Sequence, residues 1–109
     1  MITRSKARIK ELLDTYDWRE AINFASWSVE DVRCIVAMDE GENEASNWLL
    51  VVQLTNGQYS FLSAGCDYTG WDCRSWGHST ERETLAGLIR FGMGEEDRDR
   101  LQLPLRRNK

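Results

Sequence analysis

The segment WLLVVQL-TNGQ-YSFLSA, residues 48–64, constrains the fold more than any other: two apolar runs flank an Asn-Gly pair. Asn-Gly supplies the two positive φ angles of a type I′ turn, so the segment predicts a β-hairpin. With Asn56 and Gly57 as the turn, Leu54 faces Tyr59, Val52 faces Phe61 and Leu50 faces Ser63. The first strand is apolar on both sides, with Trp48, Leu50, Val52 and Leu54 on one and Leu49 and Val51 on the other. Such a strand is central or covered by helices.

The flanking sequence supplies those helices. Ile2, Ile9, Leu13 and Tyr16, with Leu12 beside them, keep helical spacing over residues 3–16. Asp17 followed by Glu20 reads as a capping box that starts a second helix over 18–26. Ser28 and Asp31 repeat the signal and predict a third helix over 29–38, although the β-branched run in VRCIVAM makes a strand its competitor. The acidic stretch DEGENEASN is a loop, with Gly41 as the helix stop. A last long helix starts at Ser79 or Thr80, with Thr80 and Glu83 in capping-box spacing. It buries Leu85, Leu88 and Ile89 and stops at Gly92. A helical turn over Glu95–Leu101 precedes the tail LPLRRNK, whose Leu103 and Leu105 either pack or seek a partner. The fold class is α+β: N-terminal helices, an antiparallel sheet built on hairpins, and a C-terminal helix packed on the sheet.

With 109 residues the chain makes one domain: a basic N-terminal helix over 1–16, a core over 17–92, and a short helix with a basic tail over 93–109. The net charge of −4 conceals a segregation. Residues 1–10 carry four basic and no acidic groups, residues 98–109 five basic and one acidic, and the middle five basic against seventeen acidic. The acidic middle attracts basic partners and repels nucleic acid, so the basic ends alone do not make a nucleic-acid site. No apolar run approaches the roughly twenty residues of a membrane span, and MITRSKARIK lacks the apolar core of a signal peptide. Three cysteines, Cys34, Cys66 and Cys73, are too few for a secreted disulfide framework. These features together place the protein in the cytoplasm.

The stretch AGCDYTGWDCRSWG, residues 64–77, is the chemically dense one. A turn at Thr69-Gly70 sets Tyr68 opposite Trp71, Asp67 opposite Asp72 and Cys66 opposite Cys73. Both cysteines then share a face with Tyr68 and Trp71, and both aspartates share the other. Three site readings follow from that register. Opposed cysteines either form a disulfide or stay as paired buried thiols. Cys66, Cys73 and His78, with Asp67 or Asp72, could hold zinc, although C-x6-C departs from the usual C-x2–4-C knuckle. Opposed aspartates repel and need Arg74, a loop amide or a cation to offset them.

The string GCDYTGWDC, preceded by the EGEN loop, a Trp-led apolar strand and an NG hairpin, resembles a family of small, uncharacterised bacterial and phage-encoded proteins. The resemblance covers residues 17–101; it implies a shared fold and makes Cys66 to Cys73 the functional centre.

Two function classes compete for the hairpin. The first is a protein-binding or regulatory module, with a phage or host-defence modulator as one form of it, acting through Asp67, Tyr68, Trp71, Asp72, Arg74 and Trp76 on a partner with a basic surface. The second is a small enzyme, either metal-dependent or built on Asp67 and Asp72 with Cys66 or Cys73 as nucleophile and His78 as base. The first is favoured because the sequence shows no recognisable nucleophile-base pair and has one histidine only.

Overall fold

The structure is a computed structural model and describes residues 2–103 and 105. Two short helices come first: α1, Lys6–Leu13, and α2, Tyr16–Ile22. A single 3-10 turn, Val29–Asp31, leads into β1, Val32–Asp39. Three more strands follow, β2 (Trp48–Leu54), β3 (Tyr59–Asp67) and β4 (Gly70–Arg82), and then α3 (Leu85–Phe91) and α4 (Glu95–Arg100). The strands form one antiparallel meander in the order β1-β2-β3-β4. This is the α+β architecture expected from the sequence.

Helices cover both faces of that sheet. Ile9 and Leu13 of α1, with Trp18, Ala21 and Ile22 of α2, pack on Leu50, Val52, Leu62 and Ala64. On the opposite face Cys34, Val36, Leu49, Val51 and Phe61 meet Leu88, Met93 and Leu101 from the C-terminal helices and the chain just after them. Leu49, Leu50, Val51 and Val52 are all fully buried, which is why β2 reads as an unbroken apolar run. Leu103 packs at the edge of the second cluster, Leu105 is exposed, and the basic end of the tail, residues 106–109, lies outside the described residues.

Four local expectations need correction. The first helical stretch breaks before Tyr16: Thr15, with φ −95° and ψ 161°, is the cap of α2 and accepts from the Trp18 amide. Asp17 therefore sits inside the first helical turn, and its carboxylate is free for another task. Residues 29–38 are not a helix. The Ser28–Asp31 capping box exists, yet it closes only the 3-10 turn before the chain extends as β1. Val32 and Ile35 pack on one side of β1 while Cys34 and Val36 pack on the other, a two-sided burial that suits a strand inside the layers.

The β2–β3 hairpin is present one register step away from the expected pairing, with Leu50 opposite Leu62 and Val52 opposite Ser60. Its loop has three residues rather than two. The Gly57 amide bonds the Leu54 carbonyl at 2.9 Å and the Leu54 amide bonds the Gln58 carbonyl at 2.8 Å. Gly57 has φ 93°, whereas Asn56 has no positive φ, so this is the bulged three-residue loop rather than type I′. Finally, Ser79 and Thr80 do not open a helix. They continue β4, held by the ladder from Tyr59↔Arg82 to Cys66↔Ser75, and Thr84 caps α3 instead by accepting from the Gly87 amide at 2.9 Å.

Candidate functional site

The dense stretch forms the free end of the β3–β4 hairpin. Asp67 sets its turn: Oδ1 accepts from the Thr69 amide at 2.9 Å and from the Thr69 hydroxyl. Tyr68 and Thr69 are thus the turn residues, and Gly70, at φ 100°, pairs with Asp67. The hydroxyl bond and the Thr69 and Gly70 amides outweigh the modest burial, holding the Asp67 carboxyl below its ordinary range with help from Arg74. A depressed carboxylate steadies this turn above the ordinary carboxylate pKa, and the contribution disappears as pH falls through the folded-state value.

Beyond Gly70 the ladder slips. Cys66 pairs with Ser75, so Trp71, Asp72, Cys73 and Arg74 have no opposite residue on β3. The expected Cys66–Cys73 and Asp67–Asp72 oppositions therefore do not form. Trp71 explains the slack. It turns into the helix-side core with 5% of its surface exposed, packs against Trp48 in a tilted arrangement with ring centroids 5.1 Å apart and planes inclined by 54°, and donates Nε1–H to Asp17 Oδ1 at 2.9 Å. Burying a wide aromatic with a satisfied N–H repays the disrupted strand pairing. Trp71, expected at a binding surface, belongs to the core.

The other candidates stay outside. Tyr68 is 75% exposed and Trp76 41% exposed, while Asp72, Cys73 and Arg74 are also exposed. β4 is an edge strand with β3 on one side and no strand on its outer side among the described residues. Trp76 is held rather than loose. Its Nε1–H donates to Asn47 Oδ1 at 3.0 Å, and Asn47 Nδ2 donates to Ser63 Oγ at 2.9 Å. Gly65, opposite Trp76, makes the room: a Cβ there would lie 2.3 Å from Asn47 Oδ1.

The acidic loop folds back onto this end of the sheet. The Glu44 amide donates to the Cys66 carbonyl at 2.8 Å, and the Cys66 thiol donates to Asn43 Oδ1 at 3.3 Å. Arg100 of α4 pins the loop from the other side, with Nε on Asp39 Oδ2 at 2.8 Å and Nη2 on the Asn47 carbonyl at 2.9 Å. Asn43, Asn47 and Arg100 carry no motif in the sequence, and only the fold brings them to the hairpin.

The three thiols are free, with Cys34 and Cys66 buried and Cys73 exposed. Burial first, then the charges of Asp17 and Asp67, push the Cys66 thiol above its ordinary range, which keeps it protonated and unreactive near neutral pH. Cys66 lies on the α1/α2 face, whereas His78, opposite Ser63, lies on the other face, so the Cys66, Cys73 and His78 ligand set is not brought together. No group of three metal-ligating side chains occurs among the described residues. Thiol titration of the native protein should show one fast-reacting cysteine, with two more appearing only in denaturant. Loss of the fast phase in Cys73→Ser assigns it; three fast thiols would contradict the placement of Cys34 and Cys66.

The chain is thus a four-stranded antiparallel meander between two helical layers, with a projecting aromatic and charged hairpin. No protein-family model matches it, and neither the curated proteins nor the solved structures contain a significant match. Among the described residues no helix is long and apolar enough to cross a membrane.

Proposed function

We propose that this protein is a small binding module that docks another protein through the free end of the β3–β4 hairpin. The observation that carries the reading is the separation of roles within one short stretch. Trp71 and Cys66 are spent on the core, while Tyr68 and Trp76 keep large aromatic surface in solvent beside Asp72 and Arg74. Exposed aromatics ringed by charge are the composition of an interface hot spot. The unpaired outer edge of β4 adds backbone donors and acceptors that an extended partner segment can use.

The acidic middle of the chain favours a partner with a basic surface, because opposite charge speeds encounter and orients docking. A phage or host-defence regulator acting on a basic host protein is one form of this proposal. The form of the catalytic alternative that uses Cys66 loses support from geometry: Cys66 is buried against Asn43, and His78 lies on the opposite face of the sheet.

The test is affinity capture followed by titration of the captured partner against Tyr68→Ala, Trp76→Ala and the double variant. Each single variant should weaken binding at least about tenfold with an unchanged circular dichroism spectrum. Undiminished affinity in the folded double variant would sink the proposal.

A further inference from the structure

The two edges of the sheet are finished differently. β1 carries two register shifts, and Thr3 closes its middle: the Thr3 amide donates to the Ile35 carbonyl at 2.9 Å, and the Ile35 amide donates to the Thr3 carbonyl at 2.8 Å. β4 has no such backbone cover among the described residues. Over residues 75–82 it runs in unbroken register along β3, and residues 75–80 include no Asp, Glu, Lys, Arg or Pro. Natural sheets blunt a free edge with such residues or with bulges. Here the irregular stretch is confined to residues 71–74, next to the hairpin tip.

The ladder fixes which backbone groups are open. The Leu54 amide bonds the Gln58 carbonyl, and hydrogen-bonded pairs alternate along antiparallel strands, so Ser60, Leu62 and Ala64 turn their backbone groups to β2. Tyr59, Phe61, Ser63 and Gly65 turn theirs to β4, where they meet Arg82, Thr80, His78 and Trp76. The alternate residues Ser75, Gly77, Ser79 and Glu81 therefore aim N–H and C=O away from the sheet. None of these four amides has a backbone acceptor among the described residues. The side chains of Trp76, His78, Thr80 and Arg82 share the other face from Glu81, and Trp76, His78 and Arg82 are exposed there.

We propose that β4 pairs antiparallel with β4 of a second copy of this chain, about a two-fold axis at Ser79, so that the two sheets become one. Residues 76–82 of the copies then face each other: Gly77 and Glu81 exchange backbone bonds, and Ser79 bonds its own counterpart. Trp76 falls opposite Arg82 of the second copy in a non-hydrogen-bonded pair, the kind that brings side chains closest. A guanidinium over an indole face is attractive, and the two-fold axis makes the contact twice. Neighbouring registers are poorer. An axis at His78 sets Arg74 against Arg82 of the second copy, and one at Gly77 runs the ladder into the irregular residues 71–74. The hairpin tip lies beyond the paired residues, so the pairing does not rest on docking through Tyr68; Trp76 alone belongs to both surfaces. A strand pair of this length falls below the roughly 1,200 Å² of stable interfaces, so the dimer is weak and forms at high concentration.

Sedimentation velocity and ¹H–¹⁵N spectra of the full chain, recorded from about 10 µM to about 1 mM, test the pairing. The sedimentation coefficient should rise toward that of a dimer. The amide signals of Gly77, Ser79 and Glu81 should move along one saturating curve and exchange more slowly, while the His78 and Thr80 amides, already bonded to β3, exchange as before. His78 and Thr80 of the two copies fall opposite each other, so His78→Lys/Thr80→Lys sets like charges face to face and should weaken association at least about tenfold. His78→Lys/Thr80→Glu sets opposite charges there and should restore it. Arg82→Glu, which removes the cation from the Trp76 ring, should weaken association as well. Tyr68→Ala should leave it unchanged, which separates failure of the pairing from failure of docking at the tip. A chain that stays monomeric at about 1 mM would overturn the proposal, even if its β4 amides respond to another protein. Association that spares Gly77, Ser79 and Glu81, or that persists undiminished in the folded like-charge variant, would overturn it too.

Discussion

Replacing Trp71 by alanine is expected to cost about 3–5 kcal/mol of stability, the loss typical of removing a buried tryptophan. Its surroundings justify the upper part of that range. The ring packs against Trp48, so its removal opens a cavity between β4, β2 and α2 and leaves Trp48 without its aromatic neighbour. The Asp17 carboxylate loses the Trp71 indole donor as well. Trp71→Phe separates the two effects: it keeps most of the ring packing and forfeits the hydrogen bond, for an expected cost of about 1–2 kcal/mol. Denaturant unfolding followed by circular dichroism measures both. A change below about 1 kcal/mol for Trp71→Ala would contradict the placement of this ring in the core.

Arg100→Ala is the second large effect, expected at about 2–3 kcal/mol, because one side chain makes charge-assisted bonds to two parts of the chain. Its guanidinium spans Asp39 at the end of β1 and the Asn47 carbonyl at the start of β2. Truncation leaves the Asp39 carboxylate without its ion-pair partner and the Asn47 carbonyl without its donor. Asn47 also holds the Trp76 indole, so the loss spreads toward the hairpin. Arg100→Lys should recover only part of the stability, since an ammonium cannot reproduce bonds made from both Nε and Nη2. Hydrogen exchange should rise in residues 40–47 and 95–101 together. Faster exchange in α4 alone would mean that Arg100 does not pin the loop.

Where local chemistry decides the conformation, the sequence was a sound guide. Asn56-Gly57 marks a hairpin whichever loop it adopts, and Gly92 ends α3 as its spacing implies. Where two local solutions compete, the choice is made at a distance. The loop after Leu54 takes three residues rather than two, and that single step shifts every β2–β3 pair. Thr80 and Glu83 have the spacing of a capping box, but β3 offers the segment a full ladder, and strand pairing overrides the local signal. Residues 29–38 follow the same rule, since burial on both sides selects the strand.

The candidate site was legible in composition and not in register. Asp67 placed the turn one residue earlier than Gly70 suggested, by bonding Thr69, and Trp71 took up the remaining slack by entering the core. No spacing in the sequence links Trp71 to Asp17 or Trp76 to Asn47, because each pair meets only after the helices and the acidic loop have folded against the sheet. The exposed pair Tyr68 and Trp76 emerges from that division of labour among the aromatics.

Binding of a captured partner to the Tyr68→Ala/Trp76→Ala double variant, compared with the unmodified protein by titration calorimetry, tests the central claim most directly. Two aromatic contacts of hot-spot strength predict a loss of at least about a hundredfold in affinity, with a folded circular dichroism spectrum retained at the temperature of the titration. Equal affinity in the two folded proteins would place the docking surface elsewhere on the molecule.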